Sequence, residues 1–189
     1  MADPAPPLRM SASEYLAWER EQPDKHELHA GEVFAMAGGS PRHNLLSARV
    51  LVQLTGALRS CHVLSSDQRI AAADDRYVYA DCVAVCGELR MAPGTSDVLA
   101  SPTVVVEVLS KTTERYDRGD KWAAYQRLPS LTDYLLVAQQ APRIEHYRRE
   151  LAREWRYSVH GAGDTLKLAS GATLEVDALY DGVFELPAD

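Results

Sequence analysis

The chain has 189 residues, 46% hydrophobic and 25% charged, which suits one globular domain with a core of its own and excludes a disordered chain. Its formal net charge of −7 argues against a broad electrostatic grip on nucleic acid, although a local basic groove can exist in an acidic protein. No run approaches the roughly 18 apolar residues of a membrane span.

Residues 1–10 read as a flexible tail without the charged and apolar regions of a signal peptide, and 11–189 as a single domain. Cys61, Cys82 and Cys86 show no metal or redox spacing. An odd cysteine count without a secretion signal points to a reducing cytoplasm. The stretch 11–20 predicts a short helix capped by Ser11 or Ser13 and ended by Pro23. Next, KHELHAGEVFAM predicts a β-hairpin turning at Ala30-Gly31, with Glu27 in its first strand. His26 and His29 are three apart in a strand, so HELH is not a zinc-protease motif, which needs two histidines four apart on a helix.

Ser40 and Pro41 suit the N-cap and first turn of a long helix to about residue 59, with Leu46, Val50, Leu54 and Ala57 as its apolar stripe. Gly38 and Gly39 lack the lysine and spacing of a phosphate loop. His43 sits in the first turn, where it is a candidate contact for phosphate or substrate. Strands are predicted over 62–71 and 77–86, joined by a turn at Asp74-Asp75. In the second of these, Asp81 is the one carboxylate among apolar neighbours. After a loop over 87–101, Val104 to Leu109 forms a β-branched run expected to be buried on both faces, with Glu107 in its middle. A helix follows over 115–128, with Lys121, Ala124, Tyr125 and Leu128 on one stripe. A buried strand over 131–138, a hairpin of 143–149 with 154–160, short strands at 165–168 and 173–176 and a turn at 178–180 complete the chain. Arg148 and Arg149 read as solvated hairpin charges rather than nucleic-acid contacts.

An ionised carboxylate buried without a partner is very costly, so Glu107 needs a proton or a cation. If the strands of Asp81 and Glu107 are neighbours, the two acids face one pocket and repel. A divalent cation resolves that conflict: Mg²⁺ takes oxygen ligands, often one or two carboxylates, and keeps waters for the rest. Lys121 follows closely enough for its helix to pack back on the sheet. The alternatives are structural: an i,i+4 salt bridge of Lys121 with Asp117, and acids satisfied by arginines such as Arg69 or by backbone donors.

With HELHAGEVFAMAGGSPRHN, SDQRIA, YVYADCVAVCGE, PTVVVEVLSKTTERYDRGDKWAAYQRLPSL and YLLVAQQAPRIEHYRR in this order, the chain resembles the Uma2 family of restriction endonuclease-like proteins, a branch of the PD-(D/E)XK nucleases. The resemblance implies an α/β fold, a mixed central β-sheet flanked by helices, here with a C-terminal β-rich extension. It implies a Mg²⁺-dependent DNA endonuclease (Mn²⁺ as a substitute) in which Asp81 and Glu107 hold the metal. Lys121 would position or help deprotonate the attacking water, with Glu27 and Gln139 in support. Leu109 stands where the common superfamily pattern has its lysine, and Ala80 where the family usually has proline. Cutting a duplex calls for two sites, hence a homodimer. The rivals are a non-catalytic nucleic-acid-binding or interaction module of the same fold and a metal-dependent phosphoesterase for a small substrate.

Overall fold

The structure, a computed structural model, describes residues 8–36 and 38–187. The expected tail lies outside these residues for 1–7. Leu8 to Met10 run beside the first hairpin, with Val33 donating to Leu8 O and Met10 to Gly31 O.

Helix α1 (Ala12–Glu19) begins with a capping box: Ser11 Oγ accepts from the Glu14 N–H, and the Glu14 carboxylate accepts from the Ser11 N–H. Strands β1 (His26–His29) and β2 (Glu32–Ala35) form the predicted hairpin. Ala30 and Gly31 both have positive φ, 50° and 81°, as a two-residue turn of type I′ requires. Helix α2 (Pro41–Ala57) has Ser40 as its N-cap and buries Leu46, Val50 and Leu54.

The two strands predicted over 62–71 and 77–86 are each broken in two. β3 (Cys61–Ser65) and β4 (Arg69–Ala73) belong to different sheets, as do β5 (Arg76–Tyr79) and β6 (Cys82–Cys86). Within 61–86 the chain therefore changes sheet twice, the second time at Ala80-Asp81. Two short elements follow the loop: β7 (Val98–Leu99) and the central strand β8 (Val104–Val108).

The helix expected over 115–128 is shorter and not uniformly α. It consists of α3 (Glu114–Tyr116), a π-helical turn (Asp117–Lys121) and α4 (Trp122–Tyr125). Its expected stripe survives, because Lys121, Ala124 and Tyr125 are all buried. β9 (Asp133–Val137), the long hairpin β10 (Arg143–Leu151) and β11 (Glu154–Gly161), the short pair β12 (Thr165–Lys167) and β13 (Thr173–Glu175), and α5 (Val176–Tyr180) complete the order.

Six strands in the order β11-β10-β9-β8-β6-β3 form the mixed central sheet, parallel only at β8/β9. Five more, β2-β1-β5-β4-β7, form a second sheet. The C-terminal hairpin β10/β11 extends the central sheet itself, and only β12/β13 stands apart. Val104, Val106 and Val108 pack with α2 and the C-terminal segment in one core. Val105 and Leu109 pack on the other side with β4, β5 and α4. By the period of two, Glu107 points to that second side, into the layer between the sheets. β8 is thus buried on both faces, as its composition predicts.

Three side chains depart from the sequence reading. Cys61 and Cys86 are register partners across β3/β6 and form a disulfide, while Cys82 is a buried thiol. Strand register sets that bond, and a spacing of 25 residues gave no sign of it. Arg149 is not a solvated charge either. Its guanidinium donates to the carbonyls of Leu131 (2.6 Å), Leu128 (2.8 Å) and Gln126 (3.0 Å), closing the end of the helix before β9. Arg149→Ala is expected to cost about 2–3 kcal/mol, because it leaves these carbonyls without a charged donor. A urea denaturation curve checks this, and Arg149→Lys should recover little, since one ammonium cannot span the fork.

Candidate active site

One buried lysine gathers the acids. Lys121 Nζ donates to the carbonyl of Tyr79 at 2.9 Å and to Glu107 Oε1 at 3.2 Å. It lies 3.1 Å from Glu27 Oε1 and 3.6 Å from Asp117 Oδ1. The side chains of all four residues are 3–7% exposed. Three elements bring them together: β1 supplies Glu27, β8 supplies Glu107, and the π turn supplies both Asp117 and Lys121. A π turn carries an extra residue per turn and is a frequent feature of functional sites. Residue 79 of β5 acts through its backbone. Its N–H donates to Glu27 at 2.9 Å, and its carbonyl receives Lys121. Tyr125, from α4, donates its hydroxyl to Glu107 Oε1.

Asp81 stands at the rim of this cluster, at the point where β5 leaves one sheet and β6 enters the other. Its Oδ2 accepts the N–H of Val108 at 2.7 Å, and its Oδ1 lies 3.4 Å from His43 Nε2. Its side chain is 19% exposed, more open than the inner acids. Asp81, Glu107, Lys121, Glu27 and His43 all line one cavity of about 780 Å³, together with Asp117 and Tyr116. Gln139 is not among the lining residues. Its amide donates to Leu109 O and accepts from Ser40 Oγ, so it fastens the start of α2 to the end of β8.

The model of the family described as "Uma2: Putative restriction endonuclease" matches residues 12–179. The chain is a member of the Uma2 family. Two relatives come from Synechocystis sp. (strain ATCC 27184 / PCC 6803 / Kazusa). "Uncharacterized protein slr1290" is 36% identical over 95% of each chain. "Uncharacterized protein sll1609" is 31% identical over 77% of this chain and 84% of its own. A solved structure described as "a putative nuclease belonging to DUF820" from Anabaena variabilis ATCC 29413 superposes with a TM-score of 0.74. It covers 92% of this chain and 99% of its own at 12% identity, so it shares the fold. The α/β architecture with a mixed central sheet is that of this nuclease-like neighbour.

In this Uma2 chain the electrostatics follow from one cation among several acids. Burial pushes the Glu107 carboxyl well above the usual carboxylate range; Lys121 pulls it down, and Asp117, Asp81 and Glu27 push it up again. Burial likewise raises Asp117 against the pull of Lys121. Burial alone would discharge Lys121, but Glu107, Glu27 and Asp117 together outweigh it and hold the ammonium charged. A lysine so held is a hydrogen-bond donor, not a base.

Among the described residues no three histidine, cysteine, aspartate or glutamate side chains stand ready-gathered around a metal position. The donor set nevertheless suits a hard cation. All four acids offer oxygen, and Asp117 Oδ1 is buried without a hydrogen-bond partner. Asp117 is the member that sequence reasoning treated only as an ion-pair partner. Its place one turn before Lys121 was the signal. The role of Tyr79 is carried by its backbone, which no side chain announces.

Proposed function

We propose that this Uma2 protein is a Mg²⁺-dependent nuclease that hydrolyses DNA phosphodiesters, with Mn²⁺ able to substitute. The observation that carries the reading is the Lys121 ammonium held by Glu27, Glu107 and Asp117 beside Asp81 in an open cavity. Asp81 and Glu107 would hold the metal, which when bound supplies an activated water and neutralises charge on the phosphate. Lys121, kept protonated, donates to the attacking water or to a phosphate oxygen and takes no proton from it. Glu27 and Asp117 orient the ammonium. His43, in the first turn of α2, stands where a phosphate oxygen would meet both its imidazole and the helix N-terminus. A homodimer is required only if both strands of a duplex are cut.

A second reading, a phosphoesterase for a small substrate, is favoured by one observation. The lining carries Glu27, Asp81, Glu107, Asp117 and Asp120 against Lys111 and Lys121. Supercoiled plasmid, single-stranded DNA and bis(p-nitrophenyl) phosphate, each with Mg²⁺, Mn²⁺ or EDTA, separate the two. DNA cutting that needs metal and disappears in Asp81→Ala and Glu107→Gln supports the nuclease. Turnover of the small ester alone would replace it with the phosphoesterase. Metal-induced stabilisation with no turnover of any substrate would point to the non-catalytic module.

The position of His43 has its own test. A methyl group on Gly39 would lie 2.6 Å from His43 Nδ1 and 2.8 Å from Cγ, too close for the ring to stay. Gly39→Ala is therefore expected to swing the imidazole off Asp81 and lower kcat by about 10- to 100-fold with little change in Tm. Steady-state cleavage rates beside a thermal melt check it, and an unchanged rate would remove His43 from the mechanism.

A further inference from the structure

The acidic lining poses a physical question that the nuclease reading leaves open: what holds a polyanion here? Proteins that grip duplex DNA do so by neutralising phosphates with many lysines and arginines. Around this cavity two arginines, Arg76 and Arg118, are engaged within the protein, while Arg115 beside Tyr116 is exposed. Arg76 bonds His29 Nε2 and the Asp120 carbonyl, and Arg118 bonds Glu114 and Glu145. The chain as a whole is at −7.

Aromatic rings stand where the charges are missing. Phe34 is the direct cross-strand partner of Glu27, so both side chains project from the same face of the β1/β2 hairpin. His29 shares that face by the period of two. Leu28, on the opposite face, is 1% exposed, whereas Phe34 is 47% exposed at the lip of the cavity. The His29 ring lies 6.5 Å from that of Phe34 and 5.8 Å from that of Tyr116. Phe34, His29 and Tyr116 thus form a continuous shelf of rings from solvent to the inner wall. At its inner end the Tyr116 hydroxyl is buried without a hydrogen-bond partner, and Tyr116 lies beside Lys121, whose Nζ is 5.6 Å from its ring centroid.

We propose that the cavity takes an unpaired nucleotide of a single-stranded nucleic acid, with a base stacked on the Phe34 edge of this shelf and the Tyr116 hydroxyl bonded to the sugar-phosphate. The inference rests on the nuclease reading of the same site and names its substrate class. Stacking on aromatic rings is one half of how single strands are bound without sequence preference, and each stacked base adds affinity that does not come from charge. Recession of the chemistry points the same way. Glu107, Asp117 and Lys121 are nearly closed to solvent, so a phosphate must descend into the cavity. A flexible single strand can bend to do so, whereas a stacked duplex must first be opened.

The test uses the full chain with Ca²⁺ in place of Mg²⁺ and a short fluorescent oligothymidylate carrying one 2-aminopurine. A hairpin duplex serves for comparison. The single strand is expected to bind at least about tenfold tighter than the duplex, to show quenched 2-aminopurine fluorescence, and to lose affinity less steeply with salt than the duplex does. Phe34→Ala should weaken single-strand binding by about tenfold and relieve the quenching, Phe34→Tyr should restore both, and the duplex should bind all three alike. Thermal melts of the variants check that the exposed position leaves folding intact. Single-strand affinity within twofold of wild type in Phe34→Ala, or a duplex preference with a steep salt dependence, would overturn the inference. Plasmid cutting with Mg²⁺ that persists in that case would leave the nuclease reading standing. Wild type that neither binds nor cuts any nucleic acid would remove both.

Discussion

Lys121→Met is expected to destabilise the protein by about 3–5 kcal/mol, the cost typical of removing one partner from a buried charge cluster. Methionine nearly matches the volume but leaves Glu27, Glu107 and Asp117 without their shared cation and the Tyr79 carbonyl without its donor. DNA cleavage should fall by at least about 100-fold, as for loss of one preorganised donor to developing charge. Adding Glu107→Gln to Lys121→Met should return part of the stability, because a neutral amide replaces a carboxyl whose anion is disfavoured by burial and its acidic neighbours, while activity stays absent. Asp81→Ala gives the contrast. Asp81 is at the open rim and outside the lysine's shell, so this variant should lose activity but cost less than Lys121→Met, about the 1–3 kcal/mol of leaving the buried Val108 N–H without its acceptor. Urea melts of wild type, Lys121→Met, Glu107→Gln and the double variant, read as a double-mutant cycle with Asp81→Ala beside them, measure the coupling between Lys121 and Glu107. Equal destabilisation by Lys121→Met and Asp81→Ala would refute a cluster built on a single cation.

How much of this was legible in the sequence depends on which physical signal each feature leaves. A glutamate in an unbroken valine run carries its own cost, so Glu107 identified itself as a site before any fold was known. Ser40-Pro41 and Gly31 encode local backbone preferences, and the structure uses them as read. The break at residues 66–68 had a weak marker in SSDQ, a polar turn inside an apparent strand. The break at Ala80-Asp81 had none. YVYADCVAVC alternates without glycine or proline, and only the presence of two sheets makes the chain turn there. The π turn is invisible for a similar reason. Asp117 and Lys121 at a spacing of four read as one α-helical stripe, and the tertiary demand that both face the same cluster decides the geometry. Gln139 is a long-range case: it bridges residues about 100 and 30 positions away in sequence, Ser40 and Leu109.

The two sheets explain why the site is where it is. Glu27 and the Tyr79 backbone come from the second sheet, Glu107 from the central one, and Asp81 from the link between them. The π turn lays Lys121 across the seam. The cation therefore joins the sheets as well as serving chemistry, and the protein cannot discard it without loosening its own architecture. If the substrate is a single strand, one such seam is a complete site and a second copy of the chain is not needed for cutting.

The same arrangement sets a pH dependence opposite to that of most proteins rich in surface ion pairs. The Glu107 carboxyl, raised above its ordinary value of 4.5 by burial and by its acidic neighbours, keeps its proton in the folded state after the unfolded chain has lost it. The folded state then binds more protons, so stability is fully present below the unfolded value and falls as pH rises from about 4.5 through the folded value, by up to about 1.4 kcal/mol per pH unit. Asp117 acts in the same direction from 3.8 upward. Asp97 and Glu145, whose carboxyls are lowered, lose stability only on the acid side of that window. Tm in EDTA should therefore decline between pH 5 and pH 8. Mg²⁺ should reverse the decline, because a cation bound to these acids releases their protons and binds more tightly as pH rises. Glu107→Gln should flatten the EDTA profile, raise the metal-free Tm at pH 8 and abolish the Mg²⁺ response together with cleavage. Thermal melts of both proteins across that range, with and without Mg²⁺, carry the whole comparison. A wild-type Tm in EDTA that climbs from pH 5 to pH 8 would mean that Lys121 alone suffices to keep Glu107 ionised, and would take away the electrostatic reason for a metal.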